Sequence, residues 1–166
     1  MKTHDFAQSI IVGAKGEEII KKYLASSKDV KDIKDVSSIR TYQLQDIDLL
    51  ITLQDDSSVS AEIKTDTYTS GNIFFETMSN LEHNVAGCMY KTKADYLFYY
   101  FTQTKELYIM NMEAYRNWFE ENKANFNCKK LKNRNRKNDG TYTSVGYTIP
   151  KVFLEANFRE HQKIII

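Results

Sequence analysis

Asp48, Glu62 and Lys64 have the types and spacing in this 166-residue chain that could do chemistry. They fall in two alternating segments, residues 45–53 (QDIDLLITL) and 58–65 (SVSAEIKT), with Gln54, Asp55 and Asp56 between them. In the first, Ile47, Leu49 and Ile51 hold odd positions and Asp46, Asp48 and Thr52 even ones, with Leu50 the exception. In the second, Val59, Ala61 and Ile63 alternate with Ser60, Glu62 and Lys64. Successive side chains of a strand point to opposite faces, so each segment predicts one apolar face and one polar face. An Asp on one strand and a Glu-x-Lys on the next can hold a divalent cation against a phosphate, beside an ammonium group. That is the chemistry of phosphodiester hydrolysis.

If residues 54–56 form a three-residue hairpin loop, Leu53 pairs with Ser57, Asp48 lies opposite Glu62, and Asp46 lies opposite Lys64. Like charges opposed at ~5 Å are destabilising unless something lies between them, and a cation reverses that sign. The oxygen donors suit Mg²⁺ or Mn²⁺, and the scattered His4, His83 and His161, with Cys88 and Cys128 far apart, do not suggest zinc. On the preceding helical segment Glu17 falls in the column Gly13, Glu17, Ile20, Leu24 that turns toward the core, whereas Glu18 aligns with Lys21 and Lys22 on the solvent side. A carboxylate on a core-facing stripe requires a hydrogen bond or a nearby cation, and the polar hairpin face is the economical partner.

GEEIIKKYL from Gly16, then DIDLLI from Asp46, then AEIKTD from Ala61 resemble the PD-(D/E)XK nuclease superfamily, the fold of many restriction enzymes and junction resolvases. KTDTYTSGNIFFE followed by KTKADYLFYYF is similar to a pattern in its small phage and prokaryotic members, so the likeness covers residues 13–111. Ile47 stands where the motif's name has proline, which leaves Asp46 and Asp48 as alternatives for the ligand; Asp48 is preferred because it directly precedes the apolar run and pairs with Glu62.

The resemblance implies a Mg²⁺-dependent DNA endonuclease, a branched-DNA resolvase or a restriction-like enzyme. It implies that Asp48, Glu62 and the Ile63 carbonyl ligate the metal, that Glu17 holds the metal or its waters, and that Lys64 orients the attacking water and touches the scissile phosphate. The alternative is a noncatalytic nucleic-acid binding module that keeps the same fold. Asn72, with Thr67, Thr69, Ser70 and Gly71 before it, offers donors to a nucleic-acid backbone, and Lys91 and Lys93 could meet phosphate. Lys129, Lys130, Lys132, Arg134, Arg136 and Lys137 place six cations within nine residues of a chain with net charge +1, which favours a polyanion; this basic stretch, about 127–140, reads as a loop. A homodimer fits the need to cut two strands.

Those side chains require a frame. One proline, six glycines and no low-complexity stretch read as a single domain over residues 1–166. No signal-peptide pattern or span of ~20 apolar residues is present, so a soluble intracellular protein without membrane contact is expected. Helical spacing predicts a helix over 5–26; a charged connector (28–34) and a short strand (38–44) lead into the hairpin. Strands are expected at 94–101 and 106–111, a helix at 112–121, a strand at 141–148, and a final helix opened by Pro150 through about Arg159. The expected fold is α/β, a restriction-endonuclease-like central mixed sheet flanked by helices.

Overall fold

The computed structural model describes residues 6–134 and 140–166, without the side chains of residues 6–10 and 134. In chain order the elements are α1 (Phe6–Ser26), β1 (Val30–Asp35), α2 (Arg40–Gln43), β2 (Leu49–Leu53), β3 (Ser58–Asp66) and β4 (Asn72–Asn80). There follow β5 (Val85–Ala86), α3 (Cys88–Lys91), β6 (Tyr96–Phe101), β7 (Glu106–Asn111) and α4 (Met112–Asn122). β8 (Asn127–Arg134), β9 (Thr141–Pro150), α5 (Lys151–Asn157) and β10 (His161–Ile165) complete the fold.

A six-stranded mixed sheet runs β1-β2-β3-β6-β7-β10; its β3–β6 pair is parallel and the other pairs are antiparallel. α1 covers one face, where Ile20 and Leu24 pack on Leu49, Ile51, Ala61, Ile63, Phe98 and Tyr100. The other face carries Leu97, Tyr99 and Phe101, packed with Tyr115 and Phe119 of α4 and with Ile73, Phe75 and Ile149 of a second sheet. That sheet is antiparallel, in the order β5-β4-β9-β8. The aromatic run of β6 is thereby explained: alternate side chains serve opposite layers, and Leu97 through Phe101 are all buried. Each such side chain contributes roughly 1.5–3 kcal/mol by leaving water.

The mixed sheet flanked by helices is as expected, and four local readings are corrected. The charged connector at 28–34 is largely strand β1, in which a register shift between Val30 and Asp32 lets Val30 and Ile33, three apart, both pack against the α1-side core. The segment at 38–44 is not a strand: the Asp35 carboxylate accepts from Ser37 N and Oγ, Ile39 N donates to Val36 O at 2.9 Å, and the chain turns into α2. The basic stretch is no loop through Arg134 but strand β8, paired with β9 from Asn127↔Thr148 to Arg134↔Thr141. Its lysines hid the strand because an edge strand exposed on both faces shows no apolar alternation. Finally, α5 stops at Asn157, and residues 161–165 add β10 to the sheet edge beside β7.

Candidate active site

The hairpin positions the first carboxylate. Leu53 N donates to Ser57 O at 2.8 Å, closing the three-residue loop, and the ladder runs Thr52↔Ser58, Ile51↔Val59, Leu50↔Ser60, Leu49↔Ala61. Continued by one residue, this register sets Asp48 beside Glu62, as the loop length predicts. Asp48 lies just before β2: its N–H donates to Ala61 O at 2.9 Å and its Oδ2 accepts from Ile63 N at 2.7 Å. The carboxylate thus takes over the ladder where the strand ends, which leaves Oδ1 as its oxygen for other work.

Asp46, which the hairpin register sets opposite Lys64, turns elsewhere. Asp46 adopts a left-handed backbone (φ 48°), and its Oδ1 accepts from Lys91 Nζ at 2.7 Å, so it does not steady Lys64. The same contact occupies Lys91, which was expected to face phosphate; Lys93 remains exposed. Lys64 is steadied by Glu62, two residues away on the same face of β3, in an ion pair between a buried carboxylate and a half-exposed ammonium.

Burial pushes the Glu62 carboxyl up to about 8; Asp48 and Asp46 add to the rise, and Lys64 opposes it. Burial alone would lower the Lys64 ammonium, but Cys88, Glu62 and Asp48 outweigh it and the lysine is raised. Burial also pushes the Cys88 thiol up to about 12, so near neutral pH the sulfur is uncharged.

Glu17 arrives on the opposite layer. Gly16 is buried against β3 so closely that a Cβ there would lie 2.0 Å from Thr65 Oγ1. Gly13, one turn before Glu17 in the same column, has nothing within 4 Å of the corresponding point. Burial raises the Glu17 carboxyl, and the charges of Asp48 and then Asp35 raise it further. Glu18 instead forms an ion pair with Lys21 on the helix surface, as the column argument predicts, and Lys21 also reaches Asp35 at 2.9 Å. Asp48 is therefore the charge that Glu17 and Glu62 share.

Two residues beyond the motif also reach this region. Glu76 on β4 accepts from Cys88 N at 3.3 Å, and the Cys88 sulfur interacts electrostatically with Lys64, Glu76 and Glu62. Cys88 carried no local signal, because it comes to the site only through the crossover from β4 into α3. Asn72 opens β4 and donates to Ser70 O at 3.2 Å. Lys129, Lys130 and Lys132 stand exposed on β8, Arg134 ends that strand, and Arg136 and Lys137 lie outside the described residues.

The metal can be judged on donor chemistry. Asp48 Oδ1, Glu62 and the Ile63 carbonyl are the hard oxygens a divalent cation prefers, whereas among the described residues no three His, Cys, Asp or Glu groups converge as a ready-made metal cluster. A cavity of about 640 Å³ opens on the α1 side, lined by apolar residues such as Leu24, Ile51 and Phe98 together with Arg159, Glu160 and His161, and it includes none of Glu17, Asp48, Glu62 or Lys64. Among the described residues no helix is long and apolar enough to cross a membrane. No protein-family model, curated protein or solved structure matches the chain.

Proposed function

We propose that this chain is a metal-dependent DNA endonuclease of the PD-(D/E)XK type, with its mixed sheet playing the part of the restriction-endonuclease-like core. The observation that carries the proposal is the pairing of a buried Glu62–Lys64 ion pair with Asp48, whose charge raises the carboxyls of both Glu62 and Glu17. Asp48 raises Glu62 on one side and Glu17 on the other, and a divalent cation held at Asp48 and Glu62 would relieve that repulsion.

Asp48, Glu62 and the Ile63 carbonyl would hold Mg²⁺ or Mn²⁺, which when bound supplies a water of lowered pKa and offsets charge on the phosphate. The chain's own residues do the rest. Lys64, half-exposed, would turn its ammonium from Glu62 to the scissile phosphate and hold the attacking water in line. Glu17, with its raised pKa, would accept a proton or a hydrogen bond from the water on the α1 side. Asn72 would donate to the DNA backbone, and a second copy of the chain would serve the second strand.

One observation favours the alternative of a noncatalytic binding module: Asp48 Oδ2 is satisfied by Ile63 N–H and Glu62 by Lys64, so the cluster is internally paired without a cation. The deciding experiment incubates the protein with supercoiled plasmid, a four-way junction and single strands, in Mg²⁺ or EDTA, beside Lys64→Ala. Cleavage that requires Mg²⁺ and is lost in Lys64→Ala is expected. Cleavage indifferent to EDTA and to that substitution overturns the mechanism, and binding without cleavage of any substrate selects the alternative.

A further inference from the structure

The second sheet contains a feature that hydrolysis does not use. β8 is its outer edge strand, and residues 127–132 are exposed without alternation, so both faces of the strand meet solvent. Lys130 and Lys132 project from one face and Lys129 and Leu131 from the other. Leu131 is 41 % exposed. Among the described residues none of the three lysines has an ion-pair partner.

β9 pairs with β4 only as far as Val145↔Met78, while its pairing with β8 continues to Thr141↔Arg134. Beyond that point β8 and β9 form a two-stranded ribbon that overhangs the sheet. One clamp holds it upright: Leu81 N donates to Thr143 O at 2.8 Å, and the Glu82 carboxylate accepts from Thr143 N at 2.8 Å and Oγ1 at 2.6 Å. The Glu82 charge is thus committed to Thr143. At the base of the ribbon Lys129, Gly146 and Glu76 share one row across the sheet, and Glu76 contacts the Cys88 that neighbours Lys64. The ribbon thus rises from the row of the second sheet that holds Glu76.

We infer that the β8–β9 ribbon is a groove-binding arm for double-stranded DNA. A surface that lies on a polyanion needs cations on one side only. Cations on both faces of β8, Lys129 on one and Lys130 and Lys132 on the other, run from the base of the ribbon into it and suit a cleft with phosphates on both walls, and the major groove of B-DNA, ~12 Å wide, admits a two-stranded ribbon. Leu131 between the lysines offers the apolar contact a thymine methyl accepts. Lysines on an edge strand also block pairing with other strands, which is the competing explanation.

The choice of DNA as the polyanion rests on the nuclease reading, so the test measures binding without catalysis. A labelled 30-base-pair duplex is titrated by fluorescence anisotropy in EDTA over a salt series, with wild type, Lys129→Ala/Lys130→Ala/Lys132→Ala, and Lys22→Ala/Lys28→Ala/Lys34→Ala, which removes the same charge from another exposed surface. The ribbon variant is expected to lose tenfold or more in affinity, and its salt slope to fall by about 2 to 3, since each phosphate contact contributes about 0.9. The control triple is expected to retain affinity within about twofold, and both variants to keep the wild-type melting temperature.

Unchanged duplex affinity in the ribbon variant, or an equal loss in the control triple, overturns the assignment. So does an equal loss on single strands or heparin, which would make the arm a general polyanion surface. Self-association of the ribbon variant with DNA binding intact selects edge protection instead. Loss of duplex binding in a protein that cleaves nothing in Mg²⁺ leaves the arm standing and removes the nuclease reading.

Discussion

At the scale of single residues, Glu62 sets the terms. Its folded-state pKa of about 8 lies above the ordinary 4.5, so the folded chain holds a proton there that the unfolded chain releases. The resulting stabilisation is complete below pH 4.5 and is lost as pH rises through about 8. Glu62→Gln keeps the neutral form at every pH, so its melting temperature is expected to equal or exceed that of wild type at pH 9, by a few °C. Mg²⁺ at pH 8 should raise the wild-type melting temperature and leave Glu62→Gln unmoved, because ligand binding to the folded state stabilises it and the variant lacks a ligand oxygen charge. Differential scanning fluorimetry over pH and metal checks both. Apparent Mg²⁺ affinity should likewise rise with pH toward 8, since metal and proton compete for the same carboxylate. For activity, Lys64→Ala and Asp48→Asn are each expected to lower cleavage by about 10²-fold or more, the cost typical of a removed electrostatic contact to the transition state; equal single-turnover rates in wild type and either variant would falsify their roles.

At the scale of elements, the α1–β3 contact decides whether Glu17 reaches the site. A Cβ on Gly16 meets Thr65 Oγ1 at 2.0 Å, so Gly16→Ala forces the helix or the threonine to move. Such overpacking costs about 1–3 kcal/mol. Thr65 Oγ1 is itself buried with no hydrogen-bond partner among the described residues, so removing the hydroxyl forfeits no bond. Thr65→Ala in the Gly16→Ala background removes the two closest contacts but leaves the Thr65 Cβ 2.9 Å away, so it is expected to recover part of the lost stability, by urea denaturation, and of the cleavage rate with it. A double variant no better than Gly16→Ala alone would place the strain elsewhere. The hairpin was legible at this scale because alternation and a three-residue loop fix register locally. β8 was not, because an edge strand exposed on both faces shows no apolar alternation, and β10 was not, because its partner β7 is distant in sequence.

At the scale of the molecule, the C-terminal elements are tied to the central sheet by charge. Glu106 on β7 meets Lys151 of α5 and Lys163 of β10 (2.8 Å), and Lys163 also reaches Glu155 at 3.0 Å. Lys151 Nζ lies 3.4 Å from the centre of the Phe101 ring. Burial works to raise the Glu106 carboxyl, but hydrogen bonds from Lys151 and Lys163 pull it down to about 2. Its contribution is present above pH 4.5 and is lost as pH falls toward 2. Glu106→Gln is expected to cost about 1–3 kcal/mol at pH 7, and progressively less below pH 4, in denaturant titrations at several pH values. A constant difference across that range would show that the loss is packing, not charge.

By itself the sequence determined the hairpin, its two faces, its register, the stripe of α1 that carries Glu17, and the aromatic strand behind them. These follow from periodicities of two and 3.6 residues and from a short loop, all interactions between near neighbours in the chain. Only the tertiary structure decided that Asp46 turns to Lys91 while Asp48 anchors on Ile63, that Glu76 takes the Cys88 N–H, and that the basic stretch is a strand standing free on both faces. Each of those depends on partners 15 or more residues away, or on a second sheet, and a carboxylate's partner or an edge strand's exposure is set by what packs beside it rather than by its local pattern.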